Sequence, residues 1–400
     1  MGNAKVFLAD SVIDFACTMG DCEDNCCRNT TWNISVDADT YEKYINIGSE
    51  IGRHIVDCIE GSTEIGYKFK EFEHGHCPLL TDEGLCYIHK NLGAEYLCTT
   101  CTTYPRIWET LNGKYEYWLS LSCPDVVRCA LYRKKKITYT ELPFEMDMPV
   151  SPAESHEAEK HKVRQFLIEI VQHRKFSIKE KLVYIGLFMR SVSKVSLIDN
   201  FEKSVNEIIR QYRSQMKMKG FLDKLITDMG TMHSDNRTNF FKMLASVASA
   251  SAIPPKKIPD GIKNSEFYKL MAGFYKDIED ETAEKYLVDA FDRLIVPYVN
   301  ANRYVFENYL AYSLVSTKFL HKSENFAEAF SGFTGEFLTM LVFTAGMFHK
   351  NKYLTNDEMV AGIYLFHRRV SHNATLRESL AKAFSNDILN LMLGALGGIN

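Results

Sequence analysis

All eleven cysteines of this 400-residue chain lie between Cys17 and Cys129, and the 271 residues that follow contain none. Random scatter would crowd them so tightly on the order of a few times in a million, so they mark a separate module. Two chemistries produce such density. A secreted chain would use it as a disulfide scaffold. Here the count is odd, no signal-peptide-like stretch precedes Asp10, and a large cysteine-free region follows. In a reducing compartment such cysteines serve as thiolate ligands, so the expectation is a metal-binding module in a cytoplasmic protein.

The spacing narrows the metal. Cys17-x4-Cys22-x3-Cys26-Cys27 comes first, and Cys77-x8-Cys86-x11-Cys98-x2-Cys101 follows, with Cys123 and Cys129 beyond. Zinc knuckles favour paired C-x2-C units, and only Cys98 and Cys101 have that spacing. An iron–sulfur cluster accepts thiolates from scattered positions, which suits this set better and leaves zinc as the alternative. The candidate ligands are Cys17, Cys22, Cys26, Cys27, Cys77, Cys86, Cys98 and Cys101, with the last four as the compact set. Cys58 and Cys129 sit in apolar runs and read as ordinary packed residues. The C-x3-C-x2-C pattern of radical S-adenosylmethionine enzymes is missing, because Cys22-x3-Cys26 runs straight into Cys27.

The period of hydrophobicity divides the chain. Residues 1–135 read as a small cysteine-rich α+β module. Strands are predicted at Thr31–Val36, Gly66–Phe72 and Tyr115–Leu119, with a helix capped by Asp39 running toward Val56. Asp82-Glu83-Gly84 predicts a tight turn that holds Cys77 and Cys86 on one knuckle. From 151 to 400 the period is helical. Val163, Phe166, Leu167, Ile170 and Val171 give the i, i+3, i+4, i+7, i+8 stripe, and Phe201 to Tyr212 and Phe267 to Ile278 repeat it. Met340, Phe343 and Phe348 read as core. Pro254, Pro255 and Pro259 break the helices, so a subdivision near 250–264 is expected. The Gly394–Gly398 stretch reads as a flexible tail. The fold class expected is therefore mainly α: a small metal-binding α+β module followed by a large all-α domain.

A net charge of −4 excludes a general pull toward nucleic acid. No apolar run reaches the roughly 20 residues of a membrane span, so no membrane insertion is expected. Dinucleotide, P-loop, zincin and nucleophile-elbow signatures are absent.

The chain resembles the flagellin lysine-N-methylases of flagellated bacteria, whose amino-terminal part is similar to a broader zinc- or iron-chelating CxxCxxCC family. The resemblance rests on Phe15-Ala16-Cys17, Cys22 through Cys27, Cys77-Pro78-Leu79, Gly84-Leu85-Cys86 and Cys98 through Arg106. Less specific support comes from Lys181–Phe188, Phe306–Leu310 and Arg369–Asn373. The first cysteine group has x4 and x3 where the broad family has x2 and x2, a departure that favours the methylase branch. The resemblance implies transfer of methyl groups from S-adenosylmethionine to surface lysines of flagellin, with a structural [4Fe–4S] cluster. A different class of function is a non-enzymatic iron- or redox-sensing module that binds a partner protein. Methyl displacement needs a positioned donor and a proton acceptor, and Glu307, Asn308, Tyr309 and His372 are the candidates in the helical region. Taken singly, Tyr309 reads more readily as core, and Glu307 as a solvated helix face. The cofactor-binding residues are not specified by any motif.

Overall fold

The computed structural model describes residues 4–22, 24–28, 34–70, 76–111, 114–144, 156–195, 200–218, 220–228, 283–316 and 325–370, together with Phe241, Leu320, Leu396, Gly398 and Ile399. The expected break near 250–264 and the expected helical stripe from Phe267 to Ile278 lie outside these residues.

Two sheets organise the amino-terminal region. The first joins β1 (Ala4–Ala9), β5 (Arg106–Leu111), β6 (Lys114–Leu119) and β7 (Tyr139–Phe144) in the order β5-β6-β1-β7. In it β1 runs parallel to β6 and antiparallel to β7. The sheet thus continues to Phe144, beyond the boundary at 135 suggested by the cysteines, because β1 needs β7 to satisfy its outer edge. The second sheet is antiparallel, β2 (Ser35–Val36), β4 (Gly66–Phe69) and β3 (Ile59–Ser62). Between these strands lie α2 (Ala38–Asn46) and α3 (Glu50–Asp57).

The single helix expected from Asp39 to Val56 is therefore two helices, and its cap is Asp37. The Asp37 carboxylate accepts from Thr40 N–H at 3.0 Å, which satisfies one of the first-turn donors left open at a helix start. Gly48, at φ 63°, takes the left-handed conformation that ends α2, and the chain restarts at Ser49. The turn at Asp82–Gly84 forms as expected. Gly84 has φ 77°, and Leu80 bridges Cys86 in antiparallel fashion.

Sheet and helices share one core. Helix α6 (Pro124–Leu131) buries Val126, Val127, Ala130 and Leu131, and these join a continuous cluster with α7 (Glu157–Val171) and α8 (Ile178–Val195). Polar stitches fix the register. Tyr312, on the Arg303–Ser316 helix, accepts from Leu119 N–H at 2.7 Å and donates to Leu119 O at 2.6 Å. Arg164 on α7 forms a two-pronged ion pair with Glu116 on β6, both nearly inaccessible. The Phe326–Met347 helix is buried on nearly every face, Met340 and Phe343 included, which marks it as the central element. Leu396 and Ile399 are buried, and Gly398 O accepts from the Asn300 amide at 3.1 Å. These described positions of the last stretch are packed rather than a flexible tail. Among the described residues no helix is long and apolar enough to cross a membrane.

Candidate functional site

Three local devices deliver cysteines to one place. A one-turn helix at Cys26–Arg28 carries Cys26 and Cys27. The knuckle carries Cys77 and Cys86, with Cys77 N–H donating to Cys27 O at 2.6 Å and Tyr87 N–H to Leu79 O at 2.7 Å. Cys98 stands at the start of α5 (Thr99–Thr103), and Cys101 lies on its first turn. The carboxylate of Asp37 also accepts from Thr99 N–H at 3.0 Å and Thr99 Oγ1 at 2.8 Å, so one acid caps α2 and anchors the Cys98 turn.

The thiols meet each other. The Cys27 thiol is hydrogen-bonded to Cys26 and Cys86, and Cys98 to Cys101. Those bonds lower the proton affinity of Cys26 to about 7, against the opposing effect of burial and with help from Arg368. Cys86 falls to about 6 for the same leading reason, and Cys98 is lowered by Cys101. Cys27 and Cys101, the donors, are pushed up, and burial raises Cys77 to about 12. A second, shallower group contains Cys17, Cys22 and Cys123. Burial raises Cys22 to about 11 and Cys123 to about 12. Its loop is pinned to the start of α6 by Thr18, whose N–H and Oγ1 donate to Asp125 at 3.0 and 2.8 Å.

The structure thus brings together Cys26, Cys27, Cys77, Cys86, Cys98 and Cys101, and sets Cys17 and Cys22 apart beside Cys123. All eleven thiols are free of disulfides. Among the described residues no three Cys, His, Asp or Glu side chains stand in ready-made metal-ligand geometry. The donor set is nonetheless chemically suited to a soft thiophilic centre: six sulfurs, Cys77 and Cys98 buried and Cys27, Cys86 and Cys101 partly so, three of the six with lowered proton affinity, and no carboxylate among them. Cys58 is half-buried at the end of α3 rather than inside it, and Cys129 donates to Ser11 O at 3.4 Å.

The helical region reaches this nest through one side chain that the sequence does not single out. Arg368, on the Asn356–Val370 helix and 4% exposed, donates to Asp24 Oδ2 at 2.6 Å, Asp24 O at 2.8 Å and Ser122 O at 3.0 Å. A buried guanidinium must be fully paired to be tolerated, and its partners here are the backbone and acid flanking Cys26 and Cys123.

The four catalytic candidates are divided. Glu307 lines a cavity of about 460 Å³ with Lys134, Lys136, Arg174, Arg303 and Tyr304, and its carboxylate pairs with the buried ammonium of Lys181. Asn308 borders the same cavity, but its amide donates to Leu131 O and Arg133 O at 3.0 and 2.9 Å, closing the end of α6. Tyr309, one step further round the helix, faces the other way. Its hydroxyl lies 3.0 Å from His367 Nε2, and His367 Nδ1 lies 4.0 Å from Glu336 Oε1, with Tyr309 and His367 buried and Glu336 partly so. His372 lies outside the described residues. His367 and Glu336 are invisible to motif reading, since a lone histidine and acid on apolar helices carry no spacing signal.

A cysteine-rich α+β region buttressed by a buried arginine is joined to a large helical region with a tyrosine–histidine–glutamate series. The sequence comparisons identify the family. Residues 164–396 match the FliB lysine N-methylase C-terminal domain, and the chain belongs to that family of protein-lysine N-methyltransferases. It is 21% identical over 392 residues to a lysine-N-methylase of Salmonella typhimurium, covering 96% of this chain and 95% of the relative. It is 22% identical over the same length to the lysine-N-methylase of Salmonella choleraesuis. A flagellar biosynthetic protein, FliU of Salmonella muenchen, is 32% identical over 120 residues, 29% of this chain and 70% of the relative. No solved structure matches.

Proposed function

We propose that the chain transfers methyl groups from S-adenosylmethionine to lysine side chains of flagellin in the cytoplasm, with a [4Fe–4S] cluster held by the cysteine nest. The observation that carries this is the convergence of six thiols from three separated segments in a chain of the lysine-methylase family. The flagellar name of one relative supports the substrate. Ligands would come from Cys26, Cys27, Cys77, Cys86, Cys98 and Cys101. When bound, the cluster supplies folding energy to a module with little core of its own. Arg368 then neutralises part of its negative charge.

The lysine nitrogen attacks the methyl carbon as the sulfur–carbon bond breaks, the bonding pair stays on sulfur, and the ammonium formed loses one proton. No electron is needed, in keeping with the missing radical signature. The residues best suited to take the proton are Tyr309, His367 and Glu336. With Nδ1 of His367 facing Glu336, its Nε2 is left to accept from the Tyr309 hydroxyl. A proton taken up at Tyr309 Oη would pass to that nitrogen.

Anaerobic purification followed by an absorption spectrum, iron analysis and methyl-label transfer to flagellin tests the reading. Brown, iron-loaded protein that labels flagellin lysines is expected. Colourless protein with stoichiometric zinc would remove the cluster, and absence of label would remove the activity. Tyr309→Phe, with absorbance intact, should lower kcat by about 100-fold, the usual worth of a positioned proton-transfer group.

A further inference from the structure

The cavity that holds Glu307 is not built for the methyl donor or the target lysine. Lys134, Lys136, Arg174 and Arg303 surround it, and Lys181 stands beneath, against the one carboxylate of Glu307. That carboxylate is already shared between Lys181 and Arg303, the latter at 3.5 Å. Lys134 lies over the Tyr304 ring at 3.9 Å. Among the described residues Lys136 and Arg174 have no ion-pair partner. A sulfonium, or a lysine ammonium, would enter this field against repulsion. The field registers on its neighbours: burial lowers the proton affinity of Lys181, Arg303 and Lys136 lower it further, and Glu307 opposes them. His173 is lowered by burial and then by Lys181, Lys175 and Lys136.

We propose that this cavity binds a small polyanion carrying a di- or triphosphate. Its volume falls in the range of small-molecule sites. A single phosphate or carboxylate would leave most of the positive charge unbalanced, whereas a chain of phosphates matches it. Lysine ammoniums hold such a chain as point charges, and the Arg174 guanidinium can fork across two oxygens. An acidic protein segment is the competing occupant, but it spreads its charge over more length than the cavity spans.

Calorimetric titration of the full chain with sodium tripolyphosphate, pyrophosphate and orthophosphate at low salt tests this. The expectation is that tripolyphosphate binds about ten-fold or more tightly than orthophosphate, and that binding weakens with added salt. The double substitution Lys136→Glu and Arg174→Glu should weaken it by about 100-fold, since two attractions become repulsions. If charge reversal lowers the melting temperature, Lys136→Gln and Arg174→Gln carry the same comparison with a smaller loss. Absence of binding by the parent chain, equal affinity in the variants, or tighter binding of a glutamate oligopeptide of equal charge would overturn the proposal. Labelling of flagellin is not read in any arm, so failure here leaves the methyl-transfer reading untouched.

Discussion

The two larger cores among the described residues are built on opposite principles. The smaller centres on Ile34, Val36, Tyr44, Ile55, Ile59, Phe69, Leu79 and Ile88, with Cys77 and Cys98 buried among them. The larger runs from Ala9 and Trp118 through α6, α7, α8 and the Phe326–Met347 helix. The helical core buries enough hydrocarbon to stand on dispersion and the hydrophobic effect. The small core cannot, and modules of that size need a staple. Its few apolar residues pack around Cys77 and Cys98, with Cys27, Cys86 and Cys101 partly buried against them. The proposed cluster would there act as part of the fold.

On the proposed reading, removing the metal or one of its ligands should therefore separate the two regions most sharply. Iron chelation, or Cys86→Ser, is expected to unfold the small core cooperatively while the helical signal in circular dichroism persists. The loss should approach the roughly 10 kcal/mol scale of structural metal sites. A uniform, gentle loss across both regions would break the distinction. Next in size is Arg164→Ala, which strands Glu116 in the core where sheet and helices join. A cost of about 3–5 kcal/mol in chemical denaturation is expected, and it should fall on the large core and leave cluster absorbance unchanged.

A smaller effect sharpens the comparison by pH. The Asp37 carboxylate sits well below its usual range: burial opposes this, and hydrogen bonds from Thr40 and Thr99 override it. Because its folded proton affinity lies below the unfolded one, its stabilisation is complete above about pH 4 and fades as pH falls toward the folded value. Acid should loosen the small core first. Asp37→Ala should lower its stability by about 1 kcal/mol at neutral pH, as for other lost helix caps, and flatten the acid limb. If acid melts both cores together in the parent chain, the assignment fails. Smallest of all should be Cys58→Ala and Cys129→Ala, at about 1 kcal/mol or less in thermal melts, since both are only partly buried and neither belongs to the six thiols named as ligands. A loss as large as that of Cys86→Ser would add that cysteine to the ligand set.

The sequence was readable where the signal is local. The knuckle at Cys77–Cys86 follows from Asp82-Glu83-Gly84, since a glycine is needed at φ 77°. The stripes of α7 and α9 (Phe201–Gln215) follow from the 3.6-residue period. The split between α2 and α3 was not readable, because Gly48 and Ser49 interrupt a stripe whose apolar positions continue on both sides. Nor was the partition of the candidates: Glu307, Asn308 and Tyr309 are neighbours in sequence, yet a turn of 100° per residue sends Tyr309 away from the cavity.

What the sequence alone determined is the division of labour: cysteines crowded into the first third, helical periodicity after it, and a spacing unlike radical chemistry. Only tertiary structure decided which thiols meet, and that Cys17 and Cys22 join Cys123 rather than the six. It also decided that Arg368, far along the chain, closes on Asp24, that His367 and Glu336 stand behind Tyr309, and that five cations gather around Glu307. The reason is physical. Spacing and period report contacts within a few residues, whereas a buried charge or thiol finds its partner wherever the packed core brings one within reach.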